Sequence, residues 1–128
     1  MELLRSLRYV AAGGVIGALC RWGIVSALGG DPTGAGMLAI NVVGSLILGV
    51  LVGASAPRRG GRPRVTTNQF LLVGTGFCGA FTSFSSYALD VARNLDSGTV
   101  TAASLAGFGT AVGAVVAAGV GYRLGSRP

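Results

Sequence analysis

A glycine- and hydroxyl-rich run inside an apolar segment holds the polar groups of this chain that are best placed to bind an ion. Residues 74–87 read Gly-Thr-Gly-Phe-Cys-Gly-Ala-Phe-Thr-Ser-Phe-Ser-Ser-Tyr. Lipid cannot satisfy bare backbone groups, so irregular backbone at membrane depth is tolerated only where protein packs against it or where it lines a wet cavity. The run therefore predicts a site for an ion or a small substrate.

Two further polar side chains interrupt apolar sequence. Asn41 is flanked by apolar residues on both sides, and a buried amide without a partner costs about 2–7 kcal/mol. It is either an interhelical hydrogen-bonding group, worth about 0.6–2 kcal/mol, or a donor that faces an anion. Arg21 lies in the first apolar segment, where it either snorkels to the outer interface or has a role within the membrane.

The elements that position these residues are membrane-spanning helices. Of the 128 residues, 51% are hydrophobic and only 11% are charged, a composition that no soluble domain of this size shares. A spanning helix needs about 20 apolar residues, and four segments qualify. They are residues 7–28, 37–56, 69–89 and 101–124. The sequence thus predicts an all-α membrane protein in which residues 1–128 form one four-helix domain.

The arginines predict how the chain sits in the membrane. All ten basic residues are arginines, and eight of them fall in three regions that four crossings place on one side. These eight are Arg5, Arg8, Arg58, Arg59, Arg62, Arg64, Arg123 and Arg127. The opposite side offers Arg93, with Asp31 and Asp96. The positive-inside rule then places both termini in the cytoplasm of a multi-pass cell-membrane protein, and it accounts for the net charge of +6 without nucleic acid.

Several classes of function lack the residues that they need. The chain has no histidine, and its two cysteines, Cys20 and Cys78, lie far apart inside predicted spans. Zinc or copper chemistry, a disulfide framework and an enzymatic acid–base pair are therefore not expected. No carboxylate falls at the middle of a span, since Asp90 comes at the end of the third, so a proton-coupled exporter also lacks its usual group.

Small residues recur along the predicted spans at close spacing. In lipid, such residues let helix backbones approach each other, which is how membrane helices associate. Packing within one bundle explains most of these glycines, and formation of an oligomer explains the remainder. They include Gly13, Gly14, Gly17, Gly44, Ser45, Gly49, Gly53, Gly107, Gly109, Gly113, Gly119 and Gly121.

Three motifs carry a resemblance to a known family. Residues 13–22, 36–45 and 76–87 resemble the first-, second- and third-helix signatures of the Fluc (CrcB) fluoride channel family. The similarity runs from about residue 13 to residue 110 without an evident gap. Any one glycine motif is a weak signal, whereas three in order on four spans are a strong one.

The resemblance implies an antiparallel dimer of four-helix subunits whose third helix is broken in mid-membrane. It implies two pores that export fluoride passively from the cytoplasm, and a structural sodium ion held at the dimer centre by backbone carbonyls. Carried over by position, the sodium residues are Gly79 and Thr82. The pore residues are the aromatic pair Phe84 and Tyr87, the amide Asn41 and the first polar position of the fourth helix, Thr110. Arg21 matches the family's first-helix arginine.

The chemistry of these side chains suits an anion. Aromatic rings have a positive edge that can face a small anion, while the Asn41 amide and the Ser83 or Ser85 hydroxyls donate hydrogen bonds. A broken helix also exposes carbonyls, which suit a hard cation such as sodium. Phe84 and Tyr87 lie three residues apart on one helical face, a spacing that by itself favours ordinary core packing, and only the family resemblance favours a place in the pore.

Two departures from the family pattern and the charge bias bear on assembly. Tyr87 stands where the family usually has phenylalanine, and Ala114 stands where a second polar residue is usual. Because Ala114 removes a donor, either this subunit lines one impaired pore or its partner supplies what it lacks. Eight arginines against one should fix a single orientation, so we expect an oppositely oriented homologous partner in a heterodimer.

Two other interpretations of the function stay open: a small four-helix multidrug-type transporter, and a non-conducting assembly partner of a channel dimer.

Overall fold

Five helices make up the described part of the chain. The computed structural model describes residues 1–29, 34–56 and 64–127. Predictions that concern Asp31, Arg58, Arg59 and Arg62 lie outside these residues. The helices are α1 (Glu2–Ala27), α2 (Gly34–Ser55), α3 (residues 67–81), α4 (Phe84–Asp96) and α5 (Val100–Gly125). Within α3 the stretch Phe70–Cys78 is π-helical, as is Leu105–Gly109 within α5.

Three of the four predicted spans form single long helices. Within the described residues, α1, α2 and α5 are each long and apolar enough to cross a membrane. The third predicted span, residues 69–89, is instead divided between α3 and α4. Each of these is shorter than the ~20 residues that a crossing needs, so the third crossing takes two helices and a break between them.

The break in the third crossing falls at Thr82 and Ser83. Both residues have extended backbone, with φ −78° and ψ 158° at Thr82 and φ −147° and ψ 110° at Ser83. Ser83 is the N-cap of α4, and its hydroxyl accepts a hydrogen bond from the Ser86 amide at 3.2 Å. Serine is among the preferred N-cap residues because its oxygen satisfies an amide that the helix start leaves unpaired. The local sequence thus favours a new helix start here.

The crossings pack as two parallel pairs, held close by glycines. A Cβ at Gly13 would meet the carbonyl of Leu72, and one at Gly17 would meet that of Phe77, so α1 and α3 run in the same direction. Helices α2 and α5 also run parallel and meet in the same way. The contacts there are Gly49 to Ala118, Gly53 to Tyr122, Gly121 to Leu46 and Gly125 to Val50. Packing within the bundle therefore accounts for these glycines, as predicted.

Two neighbouring glycines of α5 give a matched test of this packing. We expect Gly121→Ala to lower the thermal stability of the purified protein, because its methyl group would meet the Leu46 carbonyl and force α2 and α5 apart. Overpacking of this kind costs about 1–3 kcal/mol. Gly119→Ala should be neutral or mildly stabilising, because no described residue comes within 4 Å of its Cβ position and alanine favours helix by about 1 kcal/mol over glycine. Equal melting temperatures for the two variants would contradict this packing.

Five of the seven arginines among the described residues lie at one end of the bundle. The parallel pairs place the start of α1 with the start of α3, and the end of α2 with the end of α5. Arg64, just before α3, joins these two groups: its amide donates to the Ala54 carbonyl at 3.2 Å and its guanidinium to the Arg127 carbonyl at 3.1 Å. Arg5, Arg8 and Arg123 lie at the same end, and Arg93 in the last turn of α4 lies at the other.

The buried apolar core of one chain is small. Met37, Ile40 and Phe81 form it, with Val25 and Phe77 packed around them. Many large apolar side chains remain exposed, including Leu19, Trp22, Leu105, Phe108 and Val115. Such faces are typical of a chain whose surface contacts lipid or another subunit rather than water.

Candidate functional site

A cleft of about 400 Å³ opens beside the helix break, between α2, α3, α4 and α5. It brings together Asn41, Phe84, Tyr87 and Thr110, four of the residues that the sequence predicts for one pore, and it reaches Gly79 and Thr82. The rest of its wall is formed mostly by small or apolar residues. These are Gly44, Ser45, Leu48, Gly74, Cys78, Ala111 and Ala114.

Asn41 forms two hydrogen bonds with the backbone of Ser83 at the helix break. Its side-chain amide donates to the Ser83 carbonyl at 3.3 Å and accepts from the Ser83 amide at 2.9 Å. In an unbroken helix the Ser83 amide would donate to the Gly79 carbonyl, so the asparagine substitutes for a helical bond. Asn41 is thus an interhelical hydrogen-bonding group that also lines the cleft, and one of its two N–H donors is engaged with Ser83.

Phe84 and Tyr87 form an aromatic pair on the first turn of α4. Their ring centroids are 5.5 Å apart and the ring planes are inclined at 45°. Phe84 is about 80% exposed, although it is large and apolar, so core packing does not explain its position within this chain. The Tyr87 hydroxyl, which distinguishes it from phenylalanine, donates to the Gly107 carbonyl of α5 at 3.1 Å. This bond ties α4 to the π-helical part of α5 and leaves the ring edge of Tyr87 unchanged.

Thr110 presents a hydroxyl to the cleft from α5. The residue is buried, and no hydrogen bond joins its hydroxyl to any other described residue. The oxygen is not sealed inside protein either, since the described residues contain no fully buried side-chain oxygen without a partner. A hydroxyl in such a position is available to a ligand that occupies the cleft.

The two predicted serine donors lie in a different place. Ser83 and Ser85 line a second cleft of about 320 Å³, together with Arg21 and Trp22 of α1. Their hydroxyl oxygens are 3.2 Å apart, and the Ser83 hydroxyl also donates to that of Ser86 at 3.0 Å. The break thus separates two clefts, with Asn41, Phe84, Tyr87 and Thr110 on one side and these serines on the other.

The carbonyls at the break have different surroundings. Gly79 is exposed, and no atom of the described part of the chain lies within 4 Å of its Cβ position. The Gly79 carbonyl lacks its usual helical donor, because the Ser83 amide donates to Asn41 instead. The Thr82 carbonyl accepts a hydrogen bond from the Arg21 guanidinium at 3.3 Å. Arg21 is only partly exposed, and its side chain contacts the break. Arg21 therefore contributes to the backbone geometry there.

Comparison with known proteins places this arrangement in a family. Residues 8–122 match the family described as CrcB-like protein, Camphor Resistance (CrcB). The chain belongs to the CrcB family. The chain is 39% identical over 115 residues to a protein of Halobacterium salinarum named fluoride-specific ion channel FluC 1, covering 90% of this chain and 89% of that one. It is 37% identical over 122 residues to one of Haloarcula marismortui named fluoride-specific ion channel FluC 2, covering 95% of each.

One polar residue of this CrcB chain lines the cleft without having been predicted as part of it. The sequence indicates for Ser45 only a role as a small packing residue, yet it lies on the cleft wall with Asn41. The signal was present in the sequence, because residues four apart on a helix share a face and Ser45 is four residues after Asn41.

Proposed function

We propose that this chain is a subunit of a passive, fluoride-selective ion channel that exports fluoride from the cytoplasm. The observation that carries the proposal is the cleft that joins Asn41, Phe84, Tyr87 and Thr110 beside the helix break. The relatives named as fluoride-specific ion channels are matched over 89% and 95% of their length, so the comparison covers most of each relative. It also agrees with the expectation that the chain is not an enzyme.

The cleft offers an anion several weak contacts in series. The Asn41 amide and the Thr110 hydroxyl can donate hydrogen bonds, and the rings of Phe84 and Tyr87 can present positive edges. Several modest sites allow an ion both to enter and to leave, which conduction requires. Among the described residues, those that line the cleft include no carboxylate. The multidrug-type transporter, which needs such a group for coupling to protons, is therefore the weaker alternative.

A second subunit completes the proposed channel. Phe84 is largely exposed and the cleft is open on one side, so a partner chain is needed to enclose an ion there. We infer an antiparallel dimer with a sodium ion at its centre. The Gly79 and Thr82 carbonyls would hold this ion, because neutral backbone oxygens at a helix break suit a hard cation. The ion would fix the two breaks relative to each other, and Arg21 would hold the Thr82 carbonyl from its other side.

Removal of sodium tests this part of the proposal. We expect the assembled dimer, exchanged from sodium into N-methylglucamine buffer, to lose stability, because a ligand that binds only the folded state stabilises it by about 2.7 kcal/mol at 100 times its dissociation constant. The melting temperature should fall by several degrees and recover when sodium is restored. Lithium, a smaller monovalent cation, serves as the control for the size of the ion. A melting temperature that is independent of sodium would exclude a structural sodium ion.

The charge distribution supports a heterodimer rather than a homodimer. An antiparallel homodimer requires one sequence to insert in both orientations, whereas the described arginines at one end of the bundle outnumber the single Arg93 at the other. Such a bias favours one orientation. The partner would be a homologous four-helix chain with the opposite bias, and this chain would have both termini in the cytoplasm of the cell-membrane-embedded complex.

Orientation can be measured with one engineered cysteine. In a Cys20→Ser background, Ser126→Cys places a thiol near the C-terminus. We expect it to resist a membrane-impermeant maleimide in intact cells and to react after the cells are lysed. The same thiol moved to Ser97, beyond α4 at the opposite end, should react in intact cells. Labelling of both positions in comparable amounts would show dual insertion and exclude the heterodimer.

Rescue of growth tests the function in cells. A strain that lacks its own fluoride exporter should regain growth in millimolar fluoride when this chain is produced with a homologue whose positive residues lie mainly at the other end of the bundle. Growth without fluoride should be unaffected. Failure of this chain, alone and with its homologue, to change fluoride tolerance would contradict the proposed function.

A further inference from the structure

We propose that Ser45 is a fluoride-contacting residue of this channel, supplying from α2 the hydroxyl that position 114 of α5 does not provide. The inference rests on the proposed function. It also explains how a chain with Ala114 can keep a continuous line of donors along one cleft.

The register of α2 and α5 places Ser45 at the level of Ala114. Gly49 meets Ala118, and one turn further along both helices Gly53 meets Tyr122. One turn in the other direction from the Gly49 contact brings Ser45 beside Ala114. A further turn brings Asn41 beside Thr110, and all four of these residues line the same cleft. The donors therefore form two levels, with Asn41 and Thr110 at one and Ser45 at the next.

The Ser45 hydroxyl has no other engagement among the described residues. A serine or threonine inside a helix often donates to the carbonyl four residues earlier. Ser55 does so to Leu51 at 2.7 Å, and Thr82 does so to Cys78 at 2.9 Å. No such bond ties Ser45 to the Asn41 carbonyl within the described part of the chain. Its O–H can therefore turn toward an ion in the cleft, as that of Thr110 can.

The part of the cleft wall around Ser45 offers an anion few other hydrogen-bond donors. Beyond Asn41, toward the arginine-rich end, Ser45 supplies the one hydroxyl of the described cleft wall. The other described residues there are Gly44, Leu48, Gly74, Cys78, Gly79, Ala111 and Ala114. An anion leaving water at that end meets no other hydroxyl or amide side chain on the described wall before it reaches Asn41 and Thr110, and the Cys78 thiol is only a weak donor. Because desolvated anions need donors at each step, Ser45 would be the first donor that fluoride meets on the proposed cytoplasmic side.

A substitution and its compensation test the proposal in liposomes that hold the assembled channel. Ser45→Ala should lower fluoride efflux about tenfold, and the double variant S45A/A114S should restore most of it, because the hydroxyl returns at the same level on the facing helix. Ser55→Ala is the matched control, since that hydroxyl bonds to its own helix, and its efflux should equal that of the unsubstituted channel.

The outcomes separate the two proposals. Fluoride efflux by S45A equal to that of the unsubstituted channel would overturn the role of Ser45 and leave the channel function intact. A loss that A114S does not reverse, accompanied by a lower melting temperature, would show a packing role instead and would also overturn it. Absence of fluoride efflux from the unsubstituted channel would overturn the proposed function, and the role of Ser45 with it.

Discussion

Replacing Asn41 by aspartate is expected to lower fluoride efflux at least a hundredfold. The carboxylate cannot donate to the Ser83 carbonyl, which the asparagine amide does at 3.3 Å, and a buried acceptor without a partner costs about 1–3 kcal/mol. When ionised, it also places a negative charge where an anion must pass. Efflux from proteoliposomes, followed with a fluoride electrode, measures the loss directly.

Asn68 provides the control for this substitution. It is an amide in the first turn of α3, outside the residues that line the cleft. Asn68→Asp should retain efflux close to that of the unsubstituted channel. Both variants should elute at the volume of the assembled dimer in size-exclusion chromatography. An assembled N41D channel that retains half of its efflux or more would contradict the role of Asn41.

The second large effect is expected at Phe84. Leucine at this position keeps an apolar side chain but removes the ring and its positive edge. We expect Phe84→Leu to lower efflux at least tenfold, because leucine offers fluoride no positive ring edge. The melting temperature should change little, because the ring, about 80% exposed within the chain, packs little against its own subunit and leucine keeps an apolar surface toward the partner. The same result would exclude the interpretation of this chain as a non-conducting assembly partner.

Phe108 is the matched aromatic control. It is about 74% exposed on α5 and does not line the cleft beside the break. Phe108→Leu should leave efflux unchanged. Loss of efflux in F108L that matches the loss in F84L would show that exposed phenylalanines act through assembly, and a fluoride contact at Phe84 would lose its support.

The helical architecture could be predicted from the sequence because lipid imposes a simple rule. Any crossing must be a helix of sufficient apolar length, and α1, α2 and α5 have that length. Glycine spacing likewise indicated close helix packing, and Gly13 and Gly49 lie at such contacts. The π-helical stretches could not be predicted in this way, because their apolar composition is the same as that of the α-helices around them.

The candidate site was only partly predictable, because its geometry depends on contacts between distant segments. Asn41 was either a structural hydrogen-bonding group or a donor to an anion, and only the fold pairs it with Ser83 while leaving it on the cleft wall. Arg21 could have reached the membrane surface, yet in the fold it donates to the Thr82 carbonyl. Residue spacing within one helix could have identified Ser45, whereas no local pattern reveals which hydroxyls remain unbonded.

The break in the third crossing links these features physically. It requires a cap, which Ser83 provides, and a partner for the freed Ser83 amide, which Asn41 provides. The same break exposes carbonyls on α3 and starts α4 with an aromatic pair. One interruption of a helix thus yields both a polar cleft and a set of backbone oxygens within an otherwise apolar bundle.

The most direct test of the proposed channel function is fluoride efflux from liposomes that contain this chain together with an oppositely charged homologue, with chloride measured in parallel. We predict rapid fluoride efflux, no measurable chloride efflux, and little activity from this chain alone. Equal efflux of fluoride and chloride, or no efflux of either ion from the paired chains, would contradict a fluoride-selective channel.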